Sequence, residues 1–256
     1  MHTLQGVLKS HNNPMPMRNI GGVEFGDATR DLMSAIVAVH SRQMLHLDIK
    51  PSNIVLLPAD PTSRVHCKPR LALCDFGHAM TLTEAKATEN RMVLQSMFWR
   101  APEMFWGAIP TGAVDVWSLG VVLAQLWTWR HPEGHGEWLA TPIFEPIEVD
   151  DQWSQMGHAD WEMAVLQEIS HCLGPPPALW APKPCGDQKF REEALKKWRR
   201  FRTLASSQTK RLFPIFERGI VRDLVQSFLR WPHDSRATVS DALREWRTKG
   251  VTDELM

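Results

Sequence analysis

The sequence has 256 residues, 43% of them hydrophobic and 23% charged, with a formal net charge of zero. That is the balance of an ordinary globular chain with a sizeable core; it carries no electrostatic footprint for nucleic acid, and no apolar run approaches the roughly 20 residues of a membrane helix. The four cysteines (Cys67, Cys74, Cys172, Cys185) form no Cys-x-x-Cys pair and the eleven histidines are dispersed, which argues against disulfides and a structural zinc site. In chain order, Met1 to Gln5 lacks a basic region followed by an apolar one, so an intracellular setting, cytoplasm or nucleus, is expected. Residues 1–27 read as a short helix, Leu4 to Leu8, with Lys9 as a solvated helix residue, and then a loop rich in Asn, Pro, Met and Gly. Within it, Gly21-Gly22-Val-Glu-Phe-Gly26 lacks the Gly-x-Gly-x-x-Gly spacing of a phosphate cradle and is expected to be plain loop.

From Ala28 to Ser41, Leu32, Ala35, Ile36 and Val39 recur at helical spacing, and Met44 to Leu47 follows as a brief strand. Next stands His46-Leu47-Asp48-Ile49-Lys50-Pro51-Ser52-Asn53, backed by the apolar run Ile54 to Leu57. An acid five residues before an amide, with a lysine two after the acid, suits a place where phosphate and metal meet. Asp48 can accept a proton, Lys50 can neutralise a phosphoryl group, and the Asn53 amide oxygen can ligate a hard cation such as Mg2+. After a turn over residues 58–70, Leu71-Ala-Leu-Cys74-Asp75-Phe76-Gly77 is a second apolar strand ending in a carboxylate, with a glycine that frees the chain's exit angle. Two strands are thus expected to deliver Asn53 and Asp75 to one place.

Thr111 to Leu126 is apolar around most of its circumference, the sign of a buried helix. The lone Asp115 in it needs partners, since an unpaired buried carboxylate costs several kcal/mol. Residues 129–160 read as loops, and Trp161 to Leu173 as a helix stopped by Gly174-Pro-Pro-Pro. Between Arg191 and Arg211 lie eight Lys or Arg against two Glu, with Phe190, Trp198 and Phe201 interleaved; the expectation is a solvated helix face, with binding of acidic partners or RNA as the alternative. Val221 to Trp231 and Val239 to Trp246 are amphipathic helices flanking Arg236.

The pair of motifs around Asp48 and Asp75, followed by Ala101-Pro102-Glu103, closely resembles the catalytic core of the eukaryotic protein kinases. Trp99-Arg100 before it resembles the cyclin-dependent kinase-like, or CMGC, group of serine/threonine kinases. The resemblance implies a mainly α (α+β) fold: a kinase C-lobe helical bundle with short β-hairpins at the catalytic loop. It covers residues 28–247 nearly end to end and residues 1–27 weakly, dividing the chain into a hinge-like remnant and short helix (1–27), the C-lobe (28–249) and a tail (250–256). The N-lobe β-sheet, with its glycine-rich loop and strand lysine, is expected to be absent. By resemblance, Asp48 and Lys50 are catalytic, Lys50, Ser52, Asn53, Val55 and Asp75 bind ATP, and Asn53 and Asp75 hold Mg2+. Ser96 falls where these kinases have a threonine that bonds the catalytic acid and lysine. The same resemblance pairs Asp115 with the backbone near His46, and Glu103 with Arg236.

The departures from the family pattern are informative. Leu47 and Met80 stand where two arginines would grip a phosphothreonine, and Arg91 occupies the phosphothreonine position itself, so segment phosphorylation is not the expected switch; an activating phosphosite at Thr88 would oppose this reading. There is no tyrosine, which excludes tyrosine autophosphorylation of this chain. Expected partners are a protein substrate bearing Ser or Thr and a protein on the face left open by the N-lobe; cyclin is doubtful, and neither nucleic acid nor membrane is implied. The rival reading is a catalytically inactive docking or regulatory module.

Overall fold

The computed structural model describes residues 2–10, 19–20, 22–60, 62, 68–87, 94–130, 142–146, 157–205 and 219–249. In order these form β1 (His2–Thr3), α1 (Leu4–Ser10), β2 (Asn19–Ile20), β3 (Val23–Glu24), α2 (Phe25–His40), β4 (Met44–Leu45), β5 (Ile54–Leu57), β6 (Arg70–Leu73), β7 (Met80–Thr81) and α3 (Leu82–Ala87). Then come α4 (Gly112–Arg130), α5 (His158–Leu173), α6 (Gln188–Leu204), α7 (Ile220–Phe228) and α8 (Val239–Thr248). Eight helices against antiparallel sheets of three, two and two strands (β1-β5-β6, β2-β3, β4-β7) give a mainly helical fold, as expected. Among the described residues no helix is long and apolar enough to cross a membrane.

Helix α4 is the axis of the core because its mostly apolar circumference is removed from water: Val114, Trp117, Leu119, Val121, Val122, Leu123, Ala124 and Leu126 are fully buried. Helices α2 and α7 pack on it. Gly120 makes the α7 approach possible, since a Cβ there would lie 2.9 Å from both Phe228 and Leu229. A second apolar centre, of aromatic rings, joins the end of the kinase-like segment to α6: Trp106 meets Trp198 edge-on at 5.1 Å, and Trp180 touches both. This also explains the basic stretch. Helix α6 turns Ala194, Trp198 and Phe201 into the core and leaves most of its Lys and Arg in solvent.

Three local readings are corrected by the structure. Residues 22–24 are not plain loop, because Gly22 adopts φ +92°, a conformation that only glycine enters freely, and so lets β2 and β3 close into a hairpin. Helix α2 starts at Phe25 and not Ala28, because Phe25 is buried edge-on against Trp127 at 5.2 Å. Residues 1–27 also do more than lead in: Thr3 pairs with Val55 across the β1–β5 ladder, and Leu4 and Leu8 of α1 are buried in the main core.

Candidate active site

The catalytic-loop candidate is held from below by the residue that the buried helix could not leave unpaired. Asp115, with no solvent exposure, accepts the backbone N–H of His46 (2.9 Å) and of Leu47 (2.9 Å) on its two carboxylate oxygens, and the His40 ring nitrogen Nε2 lies 2.9 Å from Oδ2. Two adjacent N–H groups can converge on one carboxylate only if the chain turns sharply, and Leu47 sits at φ +63°, a strained value for a leucine. The Leu47 side chain is fully buried in the apolar core, which fixes that turn from the other side.

His46 then ties the two motif strands together. Its Nδ1 accepts the Asp48 N–H at 3.3 Å, so its Nε2 carries the proton and donates to the Cys74 carbonyl at 3.1 Å. The Cys74 N–H in turn donates to the Asn53 carbonyl at 2.9 Å, continuing the β5–β6 ladder. Because Cys74 immediately precedes Asp75, these bonds bring the Asp75 backbone beside Asn53. Asp75 itself is at φ +61°, exposed, with Oδ1 accepting the Gly77 N–H at 3.2 Å. Phe76 packs its ring on His46 at 4.7 Å yet stays 48% exposed.

Around Asp48 the side chains form a closed set. Lys50 Nζ lies 2.8 Å from Asp48 Oδ2 and donates to Ser96 Oγ at 2.8 Å, Ser96 Oγ donates to Asp48 Oδ1 at 2.8 Å, and Asn53 Nδ2 donates to Asp48 Oδ2 at 2.8 Å and to its carbonyl at 2.9 Å. Burial pushes the Asp48 carboxyl up, but the hydrogen bonds from Lys50, Ser96 and Asn53 and the lysine charge outweigh it, and the net effect holds the group below the usual carboxylate range. With Asn53 spending its amide nitrogen on Asp48, its amide oxygen is left as a neutral ligand, and Asp75 offers a carboxylate. Two oxygen donors fit Mg2+, which is bound through one or two protein oxygens with phosphate and water completing the shell. Among the described residues no group of three His, Cys, Asp or Glu forms a protein-only metal cage. Ser52 is half-buried in the Pro51–Asn53 turn, and Val55 is only 6% exposed, flanked by Thr3 and Ala72.

The segment after Asp75 is described over residues 76–87 and 94–106; Thr88 and Arg91 lie outside the described residues. Leu47 is core and Met80 packs partly buried against that core, so both positions present hydrocarbon and not cations. The far end of the segment is clamped. Gln95, at φ +67°, is buried with its amide nitrogen donating to the Val114 carbonyl (3.0 Å) and Ser118 Oγ (2.9 Å), while its amide oxygen accepts the Ala101 N–H (3.0 Å). Arg100 donates to the Gln95 carbonyl from Nη2 (3.1 Å) and Nε (3.3 Å) and to Glu162 of α5 at 2.7 Å, and Lys197 of α6 grips the other Glu162 oxygen. Below, Glu103 and Arg236 form a bidentate pair, 2.7 Å on each arm, buried beneath Trp117, whose ring centroid is 4.9 Å from the guanidinium carbon.

Sequence reasoning found Asp48, Lys50, Ser96, Asn53, Asp115, Glu103 and Arg236, and the structure brings these into the contacts above. It missed His40, Gln95 and Glu162, which carry no local signal. It also missed α3, which did have one: Thr81-Leu-Thr-Glu84 is a capping box, with the Thr81 N–H donating to Glu84 (2.7 Å) and the Glu84 N–H to Thr81 Oγ1 (3.1 Å).

The profile of the Protein kinase domain family matches residues 4–246 of this chain. The chain belongs to that family. The match takes in Leu4 to Asp27, where the resemblance read from the sequence is weak, together with residues 28–246. Among curated relatives, "Glycogen synthase kinase 1" of Pyricularia oryzae is 42% identical over 96 residues, 37% of this chain and 22% of that protein. "Homeodomain-interacting protein kinase 4" of Homo sapiens is 34% identical over 121 residues, 46% of this chain and 18% of that protein. The matched part thus spans about a fifth of either relative's length, and both support a CMGC-like serine/threonine kinase family. A chain from the crystal structure of the yeast RNA Pol II CTD kinase CTDK-1 complex superposes with a TM-score of 0.65 over 95% of this chain and 66% of that one; at 16% identity it shows the fold alone.

Proposed function

We propose that this kinase domain transfers the γ-phosphoryl group of ATP to serine or threonine hydroxyls of protein substrates. The observation that carries this reading is the Asp48–Lys50–Ser96 triangle, each side 2.8 Å, with Asn53 locked to Asp48 and Asp75 drawn alongside through His46 and Cys74.

Each residue then has a task. Asp48, held low and therefore ionised near neutral pH, accepts a hydrogen bond from the substrate hydroxyl and orients it in line with the phosphorus. As a weak base it takes the proton late, once bond formation has made that hydroxyl acidic. Lys50 neutralises charge on the phosphoryl oxygens. Bound Mg2+ would supply further neutralisation of the phosphates, and Asn53 and Asp75 are the oxygen ligands placed to hold it. Lys50, Ser52 and Val55 line the nucleotide side, Val55 as part of the sheet floor.

Arg100 bears on substrate choice. Its position resembles the arginine of the CMGC group, and by that resemblance we propose a proline-directed site; in this chain Arg100 engages the Gln95 carbonyl at 3.1 Å. Leu47 and Met80 supply no cation, so the segment clamp of Gln95, Arg100 and Glu162 takes over the ordering that a phosphate would bring.

Sheets of three, two and two strands among the described residues support the finer reading that these residues build the catalytic-loop lobe and that the glycine-rich loop and strand lysine are supplied from elsewhere. Partners therefore belong to the function, and the fold neighbour was itself solved as a complex. The deciding experiment is Mg-ATP calorimetry on the purified chain with Asp75→Asn as control. Binding that this substitution abolishes supports the kinase reading; a folded chain that binds no nucleotide is either a docking module or a kinase lobe whose ATP site needs the part supplied from elsewhere.

A further inference from the structure

The loop between α5 and α6 shows water a surface with nothing polar on its side chains. From Leu173 to Pro182 none of them carries a charge, a hydroxyl or an amide, and Pro175, Pro177, Ala178, Leu179 and Ala181 are exposed. Single exposed apolar residues are ordinary on a protein surface, but a run of them on one loop is a mark of contact. The tip is a turn closed by the Trp180 N–H on the Pro177 carbonyl at 3.0 Å, and Leu179 at that tip is fully exposed (101%). Turn tips favour Gly, Asn, Asp or Ser for their conformational freedom or local hydrogen bonds, and a leucine offers neither.

The loop is held in place from below. Trp231 Nε1 donates to the Gly174 carbonyl at 2.9 Å, and the Trp180 ring lies against Trp106, Trp198 and Trp231 at 5.9, 5.1 and 5.7 Å between centroids. Between these anchors, Arg202 of α6 donates from Nη1 to the Pro176 and Pro177 carbonyls at 3.3 and 3.2 Å. A backbone fixed in this way loses little freedom on contact.

Arg202 also joins the loop to a charged face. Lys196, Arg199 and Arg202 recur every three residues in one exposed row along the C-terminal half of α6, with Arg200 exposed beside them. Among the described residues none of the four pairs with an acid, whereas Lys197 in the same run is held by Glu162. The zero net charge of the whole chain, which by itself implies no membrane, conceals this local field.

We infer that the loop and this basic row together seat the protein on an anionic lipid surface, with Leu179 entering the acyl boundary and the row facing the headgroup phosphates. Lipid suits the loop better than a protein or a nucleic acid, whose surfaces present groups seeking hydrogen bonds. This loop answers few of them, because its three prolines bring no N–H and the Pro176 and Pro177 carbonyls are already engaged. Acyl chains ask for none. The seating does not rest on the kinase reading, since no nucleotide takes part in it.

The test is flotation of the purified full chain with vesicles of phosphatidylcholine and phosphatidylserine mixed about 2:1, against phosphatidylcholine alone. Binding is expected to the anionic vesicles only, and to fall as salt is added. Leu179→Ser should weaken it by about tenfold or more, the worth of a leucine side chain taken from water, and Lys196→Glu with Arg199→Glu by about thirtyfold or more. Leu179→Trp should strengthen it, because an indole settles at the headgroup boundary. All three positions are exposed and lie apart from Asp48, Lys50 and Ser96. The inference is overturned by no binding to anionic vesicles, by equal binding to phosphatidylcholine alone, or by binding indifferent to Leu179→Ser. RNA or polyglutamate bound at this face while vesicles are not would make the occupant an acidic macromolecule and overturn it too. Vesicle binding by a chain that takes up no Mg-ATP would count against the kinase reading and leave this one standing.

Discussion

Replacing Asp115 by asparagine probes the support of the catalytic loop without changing its size. The carboxylate receives two backbone N–H groups, one per oxygen, and the His40 ring. An asparagine keeps one acceptor and turns the other into an NH2 donor facing a buried N–H. The lost charge-assisted hydrogen bond is worth about 1.5–3 kcal/mol and the stranded N–H costs about 1–3 more, giving roughly 3–5 kcal/mol. For a chain of this size each kcal/mol moves Tm by about 2–4 °C, so scanning calorimetry should show a loss of the order of 10 °C. The strained Leu47 turn should relax at the same time, misplacing Asp48 and raising its pKa toward an ordinary aspartate. A loss below about 3 °C with Asp48 unmoved would refute the reasoning, because it would mean that the Leu47 turn holds without its acceptor.

Further outcomes follow from the same contacts. Arg236→Met strands buried Glu103 and should cost about 3–5 kcal/mol in chemical denaturation, while the double change Glu103→Leu with Arg236→Met should recover most of it, since the desolvation of both charges goes too. Ser96→Ala removes the hydroxyl shared by Asp48 and Lys50 and should lower kcat more than it raises KM, with Ser96→Thr restoring activity in a peptide assay. Asp48 has a lowered native pKa, so its contribution to stability is complete above the unfolded value, near 4, and is lost as pH falls through the lower native one. Carbon-detected NMR titration should therefore show Asp48 ionised when exposed aspartates are half protonated, and Lys50→Met should bring it back toward them.

The motif residues were legible because they stand close together in the chain. Asp48, Lys50 and Asn53 are three positions of one loop, and the apolar runs behind Asn53 and before Asp75 announce two strands that must pair. Asp115 and Glu103 were legible for a different reason: a charge in an apolar stretch demands a partner, and the resemblance to the kinase family implied which one. The sequence was also legible at Thr81 to Glu84, where a capping box went unread. By contrast, Gln95 looks like any polar residue until its amide is found bridging Val114, Ser118 and Ala101, and Glu162 like a surface acid until Arg100 and Lys197 close on it.

What the sequence determined by itself is the identity of the chemical groups and the helices that carry them, because amphipathic period, turn residues and short motifs are local. What only the tertiary structure decided is how those groups are held. The left-handed turns at Leu47 and Asp75, the His46 tautomer bridging two strands, and the burial of Leu4 and Leu8 beneath the catalytic loop's sheet depend on contacts tens of residues apart. A strained backbone angle or a shared proton is stable only where several distant elements meet on it, and no local pattern records that meeting.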